Sequence, residues 1–202
     1  MTVNYQGFID FYNPNIFQYG TSIIEGTNII ENTTTSLNVE NENRKYTKYL
    51  RENESLFLNI LSQTDFEDGC SNPAIEYVEN NLIQNSYATS MWLNELLTKY
   101  PIDCNNKEKS SFVQYGVLRI ISFLGDKDYL DYIKGNLLLM IKVSLKSDIN
   151  YVQEAALMVI ESWRDRESLS LLNDVTFSDS LLQQYSDALK NEISDELNQK
   201  AV

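Results

Sequence analysis

The chain has 202 residues, 43 % hydrophobic and 11 % aromatic, which is enough apolar material to bury a core and excludes global disorder. Twenty-nine acidic against sixteen basic residues leave a formal charge of −13, which repels phosphate backbones and anionic bilayers and steers toward cationic protein surfaces. No histidine occurs, which removes His-based triads, His-ligated zinc and the commonest general base.

Residues 1–43 mix aromatics, β-branched residues, Asn, Gly and Thr without a sustained helical period, so they read as an irregular, loop-rich N-terminal cap segment, with residues 31–43 its mobile part. The opening MTVNYQGFIDFYNPN lacks the basic-then-apolar order of a secretory signal, and no run approaches the roughly 18 apolar residues of a membrane span. A cytoplasmic location is the expectation.

From residue 44 the pattern becomes helical, and residues 44–202 are expected to form one helical-repeat domain. Tyr46, Tyr49, Leu50, Leu56, Phe57, Ile60 and Leu61 recur mostly at three- and four-residue intervals, as a buried stripe requires. A helix starting near Pro73 follows, then a second carrying Tyr87, Met91, Trp92, Leu96 and Leu97 and stopped by Tyr100-Pro101. IDCNNKEKSS is a polar linker, with Ser110 or Ser111 as the expected N-cap of the next helix.

FVQYGVLRIISFLGDKDYLDYIKG (112–135) aligns without gaps to YVQEAALMVIESWRDRESLSLLND (151–174) at an offset of 39. Val113/Val152, Gln114/Gln153, Leu118/Leu157, Ile121/Ile160, Asp126/Asp165 and Leu130/Leu169 are identical. The spacing is close to the period of about 40 residues expected of stacked helical hairpins. Gly116, Ala155 and Ala156 permit close helix approach, and Asp126 and Asp165 are placed to accept from free amides at the next helix start. WRDRE is thereby an inter-helix turn. In KGNLLLMIKVSLKSD, Gly135 marks a point where the intervening helix could kink or break. The last segment places Leu182, Tyr185, Leu189, Ile193 and Leu197 on one stripe, as a capping helix would.

These two units resemble the HEAT-repeat family of α-solenoids over residues 110–198. The resemblance implies a mainly α fold: a short solenoid of stacked antiparallel helical hairpins behind the N-terminal cap. In that family an Arg commonly follows the Val and joins an inter-repeat polar ladder with the turn Asp. Here Gln114 and Gln153 stand in its place, so no continuous ladder is expected.

No Walker loop, dinucleotide-binding glycine pattern or nucleophile elbow appears. Cys70 and Cys104 lack metal-ligand spacing, and the acidic groups Asp65, Glu67 and Asp68, and Glu76 with Glu79, read as surface charge. Trp92 and Trp163 lie on apolar stripes and are assigned to the core. No catalytic, cofactor-binding or metal residue is nominated. Tyr115, Arg119, Glu154, Met158 and Glu161 should lie away from the inward stripe of the repeated helices, and they are nominated as a partner-facing patch. The expected function is non-enzymatic protein binding, in its most concrete form an acidic bacterial immunity-type inhibitor covering a basic toxin or nuclease. A scaffold subunit of a larger complex is the alternative; a HEAT-like nucleic-acid enzyme ranks third, because −13 opposes nucleic-acid binding.

Overall fold

The computed structural model describes residues 29–66, 72–100, 106–125 and 130–200, in eight helices with no strand among them. The chain divides into two compact units, Met1–Leu37 and Asn38–Val202, and all packing described here belongs to the second.

Helix α1, Ile29–Glu52, begins well inside the stretch read as irregular. Residues 29–43 are therefore helical, which corrects that reading; residues 1–28 lie outside the described set. Asn and Thr are weak helix formers, but ion pairs one turn apart, Lys45 to Glu42 at 2.8 Å and Lys48 to Glu52 at 3.8 Å, favour the helix. Thr47 Oγ1 donates to Asn43 O at 2.9 Å, which satisfies its hydroxyl within the helix. Helix α2, Glu54–Ser62, follows a bend at Asn53, whose Nδ2 donates to Tyr49 O at 2.9 Å.

Helix α3, Pro73–Lys99, starts as the sequence indicates, with Pro73 in its first turn and Asn72 Oδ1 accepting from Ile75 N at 3.1 Å. The two helices expected there are two halves of α3, joined across a kink at Asn85 (φ −156°, ψ 88°). Asn85 Oδ1 accepts from Ala88 N and so caps the second half, and Thr89 Oγ1 donates to Asn81 O. The kink thus loses few hydrogen bonds.

Helix α4, Lys107–Phe123, is capped by Asn106, which accepts from Lys109 N at 3.2 Å. Ser110 and Ser111, the expected caps, are buried inside the helix. Helix α5, Leu130–Leu145, runs unbroken through Gly135, where an added Cβ would meet nothing within 4 Å. Helix α6, Asn150–Trp163, ends at Arg164 in the left-handed conformation (φ 44°), and Asp165 opens α7, Arg166–Asn173. Asp165 Oδ1 accepts from Ser168 N at 2.8 Å, the role its position in the repeat implies; Asp126 lies outside the described residues. Helix α8, Ser180–Gln199, is capped by Asp179.

Helices α2, α4, α6 and α8 pack in succession, each on the next, while α3 packs beside α5. Each even helix from α4 onward also packs on the odd helix before it. One core runs through the unit, from Leu50, Phe57 and Trp92 through Leu118, Ile121 and Leu157 to Leu172, Leu189 and Ile193. Trp92 and Trp163 are both buried, as their stripes require. Phe57 and Trp92 meet edge to face at 4.9 Å. At Gly116 an added Cβ would lie 2.7 Å from a Leu61 methyl, so the glycine is what lets α4 approach α2.

Gln114 and Gln153, which align at the offset of 39, have the same task. Gln114 Nε2 donates to Tyr100 O at 2.8 Å and lies 3.4 Å from Leu97 O, the carbonyls that close α3. Gln153 Nε2 lies 2.7 Å from Ser147 O and 3.3 Å from Leu145 O, the carbonyls that close α5. A third glutamine, Gln183 of α8, accepts from Phe177 N at 2.9 Å in the turn before its helix. The triplets Phe-Val-Gln (112–114), Tyr-Val-Gln (151–153) and Leu-Leu-Gln (181–183) share one plan: the first residue is exposed, the second buried, and the third tied to the preceding turn.

Candidate functional site

Helices α4 and α6 lie side by side, and their helical periodicity sets two columns next to each other. On α4, Phe112, Tyr115 and Arg119 follow at intervals of three and four residues; on α6, Tyr151, Glu154, Met158 and Glu161 do the same. Cross-links join the columns: Tyr151 Oη donates to Ser111 Oγ at 2.5 Å, and the Tyr115 and Tyr151 rings meet at 5.6 Å and 83°. Phe66, just beyond α2, closes the other side of Tyr115 at 5.9 Å and 87°.

Between these elements lies an open groove of about 690 Å³, lined by Ser62, Asn106, Glu108, Lys109, Phe112, Tyr115, Tyr151 and Glu154. Phe112 is 38 % exposed and Tyr151 43 %, so two large apolar surfaces face solvent at its mouth. The Lys109 ammonium sits 5.2 Å from the Tyr100 ring centroid, held by that ring's electron-rich face.

The five nominated residues separate into two groups. Glu154 and Glu161 are exposed and Tyr115 and Met158 half-buried, all on the α4–α6 side of the molecule. Arg119, expected to point outward, is only 9 % exposed, because α6 covers the flank of α4 that a lone helix would show to water. Its guanidinium donates to Phe66 O at 3.1 Å, contacts Met158 Sδ and lies 5.0 Å from the Phe123 ring centroid. Arg119 is therefore a clamp between α4, α6 and the end of α2.

Beyond Met158 the acidic column reaches α8. Tyr185 Oη donates to Glu161 Oε2 at 2.5 Å. Burial first, then that hydrogen bond and the charges of Glu161 and Glu154, hold the Tyr185 phenol above its ordinary range, with Arg119 opposing. The sequence reading missed Phe112, Tyr151, Glu108 and Tyr185. The signal for the first two was available: Phe112 and Tyr151 fall three residues before Tyr115 and Glu154, on the same face as the nominated residues and not on the inward stripe.

Among the described residues no group of three or more acidic or cysteine side chains could hold a metal ion, and no helix is long and apolar enough to cross a membrane. Cys70, Cys104, Glu67 and Asp68 lie outside the described residues. No family model, curated protein or solved structure matches the chain.

Proposed function

We propose that the chain is a non-catalytic, protein-binding helical-repeat module, a short solenoid of stacked hairpins similar to the HEAT-repeat family, whose acidic face covers a cationic partner protein. In its most concrete form it is a cytoplasmic, immunity-type inhibitor that occludes a basic toxin such as a nuclease. The observation that carries this reading is the α4–α6 face, where the exposed carboxylate of Glu154 borders an open groove with solvent-facing Phe112 and Tyr151, and exposed Glu161 lies two turns further along α6. Exposed aromatics ringed by charge are the composition of a docking surface. The excess of thirteen negative charges would speed encounter with a basic partner. The succession of even helices and the repeated glutamine ties support the stacked-hairpin architecture.

The test is affinity capture of the tagged chain with its native lysate, followed by stopped-flow association with the captured protein at rising ionic strength. A basic protein should be retained, its association rate should fall by about 10-fold or more between roughly 50 and 500 mM salt, and reversing Glu154 and Glu161 to Arg should abolish capture. Capture of no basic protein, or capture indifferent to both reversals, overturns the reading. A scaffold role is the second reading, favoured by Leu139 (71 % exposed) and Val143 (49 %), two exposed apolar side chains one turn apart on α5 whose docking would depend less on salt.

A further inference from the structure

We propose that the groove between α4 and α6 is a binding site for an arginine or lysine side chain presented by the partner protein, with Phe112, Tyr115 and Tyr151 receiving the cation and Glu108 and Glu154 neutralising it. The proposal deepens the protein-binding reading and rests on it for the molecule that carries the cation. Its volume of about 690 Å³ is that of sites which hold a small ligand, roughly 300 to 1,000 Å³.

The lining decides the chemistry. Tyr115 and Tyr151 stand nearly perpendicular and both line the groove, so aromatic surface from two rings borders it. A cation is attracted to aromatic faces, and an alkyl stem packs along the same rings. Two carboxylates, Glu108 and Glu154, border the groove against one ammonium, Lys109, which is already engaged with Tyr100. A neutral apolar side chain entering here would desolvate those carboxylates without compensation, and an acidic one would be repelled. A guanidinium or ammonium gains from both rings and carboxylates. The same chain already stacks its own cations this way: Arg119 lies over Phe123 at 5.0 Å and Lys134 over Trp163 at 5.3 Å.

The probes are fluorescently labelled octa-arginine and its octa-citrulline analogue, which keeps the shape and removes the charge. Binding is measured by anisotropy at about 150 mM salt, with amide NMR mapping of the site. Octa-arginine should bind and shift the amides of Phe112, Tyr115, Tyr151 and Glu154, and octa-citrulline should bind at least about 10-fold more weakly. The double substitution Phe112→Ser with Tyr151→Ser, which leaves the net charge unchanged, should weaken octa-arginine by about 10-fold. Glu40→Lys with Glu42→Lys, on exposed positions of α1, should weaken it by no more than about two-fold. The proposal is overturned if the serine variant binds within about two-fold of the parent, or if the α1 variant loses as much. Should a thermal melt show the serine variant unfolded, Glu108→Gln with Glu154→Gln carries the test and must weaken binding by about five-fold. Groove-centred binding of octa-arginine with no basic protein captured from lysate removes the inhibitor reading and leaves the site; captured partner undiminished by the serine variant removes the site and leaves the reading.

Discussion

Gln114 and Gln153, 39 positions apart, each turn a carboxamide onto the carbonyls that close the preceding helix, at 2.8 Å from Tyr100 O and 2.7 Å from Ser147 O respectively. A helix ends with carbonyls that lack intrahelical partners, and a buried end without partners is costly. Gln114 is thereby spent on the end of α3 and Gln153 on the end of α5. Replacing either glutamine by Ala should lower stability in urea by about 1 to 3 kcal/mol, since carbonyls are left unpaired. Gln153→Ala should cost more than Gln114→Ala, because Gln114 Oε1 is itself buried without a protein partner and offsets part of the gain. Equal, negligible losses at both positions, matching exposed Gln184→Ala, would contradict this assignment.

What the sequence made legible follows from how many residues encode each feature. The repeat was readable because its packing columns, Val113/Val152 through Ile121/Ile160, are set by local periodicity and all turn out buried. The start of α4 was not, because the run from Asn105 to Ser111 offers several residues able to cap, and Asn106, not a serine, holds the site. The reach of α1 to Ile29 opposes intrinsic propensity, so composition alone pointed the other way. The site was half-legible. Periodicity put Tyr115, Glu154 and Glu161 away from the inward stripe, as the structure has them, but the burial of Arg119 depends on how closely α6 lies against α4, which no local pattern specifies.

Two glycines in helices should respond oppositely to Ala. Gly116→Ala places a methyl 2.7 Å from Leu61, a buried neighbour, and should destabilise by about 1 to 3 kcal/mol. Gly135→Ala meets open space in the interior of α5 and should stabilise by roughly 0.5 to 1 kcal/mol. Paired thermal melts check both signs.

Alkaline pH should unfold the protein through its half-buried phenols. Burial, and then the charge of Tyr49, raise Tyr77 from 10.0 to about 12, and Tyr46 and Tyr185 are also held above the ordinary value. A raised folded pKa contributes stability that is fully present below the unfolded value and is lost as pH rises through the folded one. Stability should therefore be flat below about pH 10 and fall between about 10 and 12. Tyr77→Phe should make that fall shallower while costing little at neutral pH, since Tyr77 Oη is buried without a partner. Tyrosinate absorbance followed alongside circular dichroism tests it.

At the acidic end the sign reverses. Hydrogen bonding to Arg164 lowers the Glu196 carboxyl below its ordinary 4.5, and Lys107 and Lys142 lower Asp148 and Asp174 in the same way. A depressed folded pKa contributes stability that is present above the unfolded value and is lost as pH falls through the folded one. Melting temperature should thus decline below about pH 4.5, and Glu196→Gln should flatten part of that decline. All three carboxylates lie at the surface, so added salt should reduce the effect. A melting temperature unchanged between neutral pH and pH 3 would refute it.

Arg119 and Glu154 should behave as different kinds of residue although sequence reasoning placed them in one patch. Arg119 is buried, donates to Phe66 O and stacks against Phe123, so Arg119→Ala removes both packing and a charged donor and should destabilise by about 2 to 4 kcal/mol. Glu154 is exposed, so Glu154→Ala should leave stability within about 0.5 kcal/mol. Partner or octa-arginine affinity should respond in the opposite order, falling for Glu154→Ala and holding for Arg119→Ala at temperatures where that variant stays folded. Urea titrations with binding measured on the same samples separate the two effects. If Arg119→Ala melted with the parent yet lost binding, the guanidinium would belong to the interface and not to the clamp between α4, α6 and the end of α2.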